Sequence, residues 1–347
     1  MFLRVLYPPR LARPLLFSLA LPLFACGARS VLFDGPVSAS DDDAGPAATP
    51  STRAILFGGT VNDGTFSVTA DTWQWDGRAW TQLDVSGPPG RYGAAMASFG
   101  NGVVLTGGWG PGTLTDTWSW DGTTWKELAE AGPTSRMGAA MAALGDRLVL
   151  FGGFGDGPSP YDGSLADTWI WDGSTWTSPG VTGPAARANA TMATLDGKVV
   201  LFGGSDIQGT GNTYADTWVW DGTSWTALDV PGPPPRDAAV MVPFEGKLFL
   251  FGGQCYCPPT RIGVIYSDSW TWDGQAWAEL DSAGPAATFA SMAEADGKLV
   301  LFGGLVPNPS YVDTDATSTW DGTSWTPLSV TGPSARDQAA MATITAR

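Results

Sequence analysis

Short apolar runs alternate with Gly, Pro, Asp and Asn along most of this chain, and the stretch Ala188 to Leu228 displays the pattern in full. Asn189 to Leu195 reads as a strand of small residues around Met192, and Asp196-Gly197 makes a tight hairpin turn. Lys198 to Gly204 is a Val/Leu/Phe strand that stops at a diglycine. A variable loop leads to a strand over Asp216 to Trp220, the turn Asp221-Gly222-Thr223-Ser224 and a last strand from Trp225 to Leu228. Gly232-Pro233 ends the unit. We call the four strands A to D. In strand C the pleat puts Trp218 and Trp220 on one face and Val219 on the other, so the sheet is apolar on both sides and cannot stand alone.

The unit repeats. Asp-Thr-Trp-x-Trp-Asp-Gly recurs at Asp71, Asp116, Asp167 and Asp216, with a Ser-containing variant at Asp268 and an eroded copy ending Trp320-Asp321-Gly322. Diglycines ending at Gly59, Gly108, Gly153, Gly204, Gly253 and Gly304 step by about 45 to 51 residues. Identical sheets stacked around an axis bury both of their faces, which is the logic of a β-propeller. The Trp residues are expected to pack between blades.

The diglycine after strand B, the aromatic in C, the Trp in D and the Arg before the next strand A resemble the Kelch repeat. That resemblance implies an all-β fold: a six-bladed Kelch-type propeller with four antiparallel strands per blade and strand A innermost. Ser119 to Trp125 also looks like the Asp-box hairpin of sialidases but is one residue short between Asp and Gly. The first copy lacks strand A, whereas Asp337 to Ile344 repeats it with nothing after, so the C-terminal strand is expected to close blade 1. The propeller is assigned to residues 53–347.

The N-terminus changes the picture of where the protein acts. Arg4, Arg10 and Arg13 precede an apolar stretch and Leu23-Phe24-Ala25-Cys26, which resembles a bacterial lipobox. Residues 1–25 are expected to be a lipoprotein-type signal peptide, and Cys26 the lipidated first residue of an exported, envelope-anchored chain at the outer membrane or cell surface. Residues 26–52, rich in Ala, Gly, Pro, Ser and Asp, read as a disordered acidic tether. A formal charge of -16 repels nucleic acid and anionic lipid headgroups, leaving lipid attachment as the only membrane contact. The chain is expected to be a monomer.

Arg91, Arg136, Arg187, Arg236 and Arg336 each precede a strand A, and each shares a blade with an Asp that opens strand C: Asp116, Asp167, Asp216, Asp268 and, through closure, Asp71. The sixth copy lacks both, with Thr288 near the Arg position and Ala316 at the Asp position. Joint loss is what an ion pair predicts, so these residues are expected to be intrablade bridges across the strand B diglycine rather than a ligand-binding Arg ring.

Individuality lies in the B–C loops, which carry Trp109, Phe154, Tyr161, Tyr214, Tyr256, Tyr266 and Tyr311 among Asn and Asp. Such a face suits a protein or glycan partner. With no His in the chain, Ser-His-Asp catalysis, the usual zinc sites and the copper chemistry of galactose oxidase, a Kelch-type relative, are excluded. No cofactor or metal is expected. A carboxylate-dependent glycosidase or lyase and a purely structural envelope protein remain as alternatives to a binding module. Cys255 and Cys257 flank Tyr256 and are expected to form a disulfide in an oxidising compartment.

Overall fold

The computed structural model describes residues 51–62, 66–112, 114–128, 132–155, 163–206, 211–257, 263–308 and 310–345. The leader, Cys26, nearly all of the tether and Tyr161 lie outside the described residues. Six four-stranded antiparallel sheets form the blades, with no helix among the described residues. In blade 4, strands A to D are Thr191–Leu195, Lys198–Phe202, Thr217–Trp220 and Trp225–Leu228. Blade 1 takes its strand A, Ala340–Thr345, from the end of the chain and pairs it with Thr52–Phe57, in the register Phe57↔Ala340 to Thr52↔Thr345. Strand pairing thus starts at Thr52, one residue inside the stretch assigned to the tether.

Each interface between neighbouring blades holds its own apolar core, as the two-sided sheets require. Between blades 3 and 4, Ala140, Ala142, Val149 and Phe151 meet Met192, Val199, Leu201, Trp220 and Trp225. Burying each large side chain contributes roughly 1.5 to 3 kcal/mol. The second Trp of strand C and the Trp that opens strand D pack together in every blade, with ring centroids 5.3 to 5.6 Å apart.

The signature Thr acquires its purpose across these interfaces. The indole N–H of each strand D Trp donates to the hydroxyl that opens strand C of the preceding blade, for example Trp125 to Thr72 at 2.9 Å and Trp277 to Thr217 at 2.9 Å. In blade 6 the acceptor is Ser269, at 3.2 Å from Trp325. The second signature Asp accepts two backbone N–H groups in the C–D turn, as Asp121 does from Thr123 and Thr124 at 2.8 and 2.9 Å. That leaves only the leading Asp to be placed.

Candidate functional site

Strands A and C begin, and strand B ends, on one face of the disc, where the B–C loops also lie. Here each leading Asp meets the Arg of its own blade. The closest N–O separations are 2.6 Å for Arg91–Asp116, 2.7 Å for Arg136–Asp167, 2.5 Å for Arg187–Asp216, 2.7 Å for Arg236–Asp268 and 2.6 Å for Arg336–Asp71. A second bond makes each pair bidentate, as from Arg91 Nη2 to Asp116 Oδ2 at 2.7 Å. Arg91 also donates to the carbonyls of Pro89 and Gly107. Trp118, the first Trp of strand C, donates to the same carboxylate at 2.7 Å.

Burial opposes ionisation of Asp116, but the hydrogen bonds from Arg91 and Trp118 and the Arg91 charge outweigh it and hold the carboxyl below its ordinary value. The same balance holds at Asp71, Asp167, Asp216 and Asp268. These arginines are at most 2% exposed, so none presents a guanidinium to a ligand. Tyr214 stacks over Arg187 at 3.9 Å and Tyr266 over Arg236 at 4.2 Å. Both tyrosines therefore cover clamps from above.

The diglycine serves a different purpose from clearing a path for the Arg. Gly107 and Gly108 adopt φ of 67° and 93°, and a Cβ on Gly107 would lie 2.7 Å from the Arg136 carbonyl oxygen of the next blade. Gly108 N–H donates to that carbonyl at 2.8 Å. The equivalent bond in blade 5 runs from Gly253 to Ala287, at 3.3 Å. Ala287, not Thr288, thus occupies the Arg position of blade 6, and Thr288 stands one residue on.

Two residues past each clamp Arg, and past Ala287 in blade 6, the chain turns into the channel with positive φ, at Gly93, Gly138, Asn189, Ala238, Phe289 and Gln338. Their backbones form a closed ring of hydrogen bonds, each N–H donating to the carbonyl of the blade before, at 2.7 to 3.2 Å. Gly93 to Gln338, at 3.0 Å, closes it. Below the ring is a channel of about 530 Å³ lined by strand A residues, among which Glu294 is the only charged side chain. Glu294 is held by Thr52, whose hydroxyl donates at 2.9 Å, so among the described residues no pair of carboxylates faces the channel.

The residue between clamp and ring varies around the disc and divides the mouth. Tyr92, Met137 and Ala188 of blades 2 to 4 join Phe154 in an apolar cluster, with Trp109 and Val68 packed against it. Phe154 is 4% exposed and Trp109 is half-buried. Blades 5, 6 and 1 instead carry Asp237, Thr288 and Asp337. Burial pushes Asp237 up to about 6; Ser205 and Gln254 lie near it but neither carboxylate oxygen completes a hydrogen bond. Burial also pushes Asp337 up to about 6, against the hydroxyl that Thr60 donates to it and with the nearby Asp313 charge adding to the rise.

Small two-stranded hairpins, too short to be read from the sequence, fill several B–C loops. They carry the large exposed apolar side chains: Phe66, Val264, Tyr311 and Val312. Tyr311 bonds to Tyr256, whose hydroxyl is pushed up to about 12 by burial first and by Tyr311 second. Cys255 and Cys257, on either side of Tyr256, are joined as a disulfide with Cα atoms 5.3 Å apart. Of the aromatic candidates, Trp109, Tyr256 and Tyr311 keep accessible surface without covering a clamp.

No curated protein matches the chain. The family described as the KLHDC2/KLHL20/DRC7 Kelch-repeats domain matches residues 124–254, which run from strand D of blade 2 into blade 5. Kelch propellers commonly serve as protein-interaction scaffolds, and most are binding modules rather than enzymes. With six blades built on the diglycine and the paired Trp residues, and with the Arg before strand A in five of them, this chain is a six-bladed β-propeller similar to the Kelch-repeat family.

Proposed function

We propose that the propeller is a non-enzymatic binding module that engages a protein partner through its B–C face. The observation that carries this reading is the segregation of exposed apolar surface. Phe66, Val264, Tyr311 and Val312, between 40% and 66% exposed, all sit on B–C hairpins, and none lies at the A–B or C–D turns. Exposed aromatic and branched side chains gathered on one face mark an association surface. The N-terminal lipobox-like run ending at Cys26 supports an exported chain held at the envelope by its lipid, with the propeller presented beyond a tether.

Recovery of partners from envelope extract by the wild-type protein, compared with a Phe66→Ser/Tyr311→Ser variant of the same melting temperature, tests the face. Loss of a specific partner is expected, and equal recovery by both proteins would contradict the reading. Replacing Cys26 by Ser is expected to abolish incorporation of labelled fatty acid and release the protein from membranes.

A further inference from the structure

The clamps leave an electrostatic imbalance behind them. Every described Lys or Arg outside the clamps lies at an A–B or C–D turn or within the first two residues of a strand B or D, as Arg53 and Lys126 do, toward the face opposite the B–C loops. Arg261, in the fifth B–C loop, lies outside the described residues. The B–C face keeps Asp237, Asp313, Asp315 and Asp337, and at its rim Asp84, Asp229 and Asp281, with no cation facing them among the described residues.

Two features go beyond a count of acids. Asp237 is 1% exposed, and its carboxylate lies close enough for its charge to act on the Tyr256 hydroxyl, with neither carboxylate oxygen hydrogen-bonded among the described residues. Asp337 and Asp313, on blades 1 and 6, stand near enough to repel one another. Among the described residues Asp313 accepts only the Asn62 backbone N–H, at 2.7 Å, which also ties the hairpins of the two blades together. The bonded Tyr256 and Tyr311 pair bridges blades 5 and 6 in the same arc. Uncompensated carboxylates beside aromatic rings are the two elements that recognise an ammonium or guanidinium group.

We propose that the partner of this face is basic, and that its lysine or arginine side chains dock on the arc of blades 5, 6 and 1, over Tyr256 and Tyr311 and against the accessible Asp313 and Asp315, with the charge of the buried Asp237 and Asp337 beneath them. This rests on the reading that the B–C face binds a protein, and it names the chemistry of that protein. A second copy of the chain is a poor fit, because the turn face that carries the free cations carries more carboxylates than cations, among them Asp76, Asp121, Asp221, Glu245, Asp296 and Asp321. Steering between such charges falls steeply with salt.

The test is fluorescence anisotropy on the whole exported protein with a labelled nonapeptide of Lys-Phe-Gly repeats and its Glu-Phe-Gly counterpart. Three proteins are compared: wild type, Asp237→Asn/Asp313→Asn/Asp315→Asn, and Asp146→Asn/Asp196→Asn/Asp296→Asn. The last makes the same charge change in A–B turns, where Asn is equally suited to the backbone. The expected result is saturable binding of the Lys peptide that weakens at least tenfold in the B–C variant, less than twofold in the turn variant, and with rising salt. Comparable binding of the Glu peptide, equal weakening in both variants, or no saturable Lys peptide binding would overturn the proposal. So would sedimentation of the wild type as a salt-sensitive dimer, which would give the face to a second copy. A partner captured through Phe66 and Tyr311 yet indifferent to the carboxylate changes would defeat only the charge inference. Indifference to the aromatic changes would defeat the face itself.

Discussion

Two sets of aspartates lie on the same face of the disc, and they behave in opposite ways. The outer set, Asp71, Asp116, Asp167, Asp216 and Asp268 at the starts of strands C, is ionised more readily than an ordinary carboxyl because each holds a buried guanidinium. The inner pair, Asp237 and Asp337 beside the channel mouth, is ionised less readily because burial is not offset by a cation. The difference separates scaffold from site. A carboxylate with an internal partner has no charge left to offer, whereas one without a partner keeps its attraction for whatever approaches.

The outer set should give the largest effect. Asp116→Ala leaves Arg91 buried without its counterion and should cost about 3 kcal/mol in urea unfolding, whereas Asp84→Ala on the rim should stay within about 0.5 kcal/mol. Equal effects at the two sites would erase the distinction.

The inner pair should respond with the opposite sign. Its folded-state values, about 6, lie above the model-peptide value of 3.8, so the folded protein binds these protons more tightly and loses stability as pH rises through that window. Ser205, Gln254 and Tyr256 face Asp237; Thr60, Gln338 and Asp313 face Asp337, and no cation is among them. Asp237→Asn should therefore stabilise the protein at pH 8, by on the order of 2 kcal/mol, and make no gain at pH 4. The outer carboxyls behave conversely: their contribution is intact above pH 3.8 and disappears as pH falls through their lowered values.

Smaller effects sharpen the account of blade 6. Installing both halves of a clamp, Ala287→Arg with Ala316→Asp, should raise stability by about 1 kcal/mol, and Ala287→Arg alone should lower it, as followed by thermal melting. A comparable loss, about 1 kcal/mol, is expected for Thr217→Val, which strands the Trp277 indole N–H.

The propeller was legible in the sequence because six copies could be compared with one another. The Arg and Asp missing together from blade 6 pointed to a pairing before any distance was known, and the strand missing from the first copy pointed to the last. What could not be read was whatever depends on neighbours across blades. The hydrogen-bonded mouth ring is made by backbone, and its positions hold Gly, Gly, Asn, Ala, Phe and Gln, which share no side-chain chemistry. Asp237 looks in sequence like any Asp next to a strand, and only the closing of blade 4 against blade 5 buries it. Tyr214 and Tyr266 looked like ligand-facing aromatics until their clamp partners lay beneath them. Phe66, the most exposed of the large apolar side chains, belongs to a hairpin whose three-residue strands carry too little pattern to notice.

Carboxyl titrations followed by NMR of ¹³C-labelled aspartate test the separation of scaffold from site most directly. Asp71, Asp116, Asp167, Asp216 and Asp268 should titrate below 3.8, and Asp237 and Asp337 near 6. A single group of titrations around the ordinary carboxyl value, with the inner pair indistinguishable from the outer set, would contradict the account.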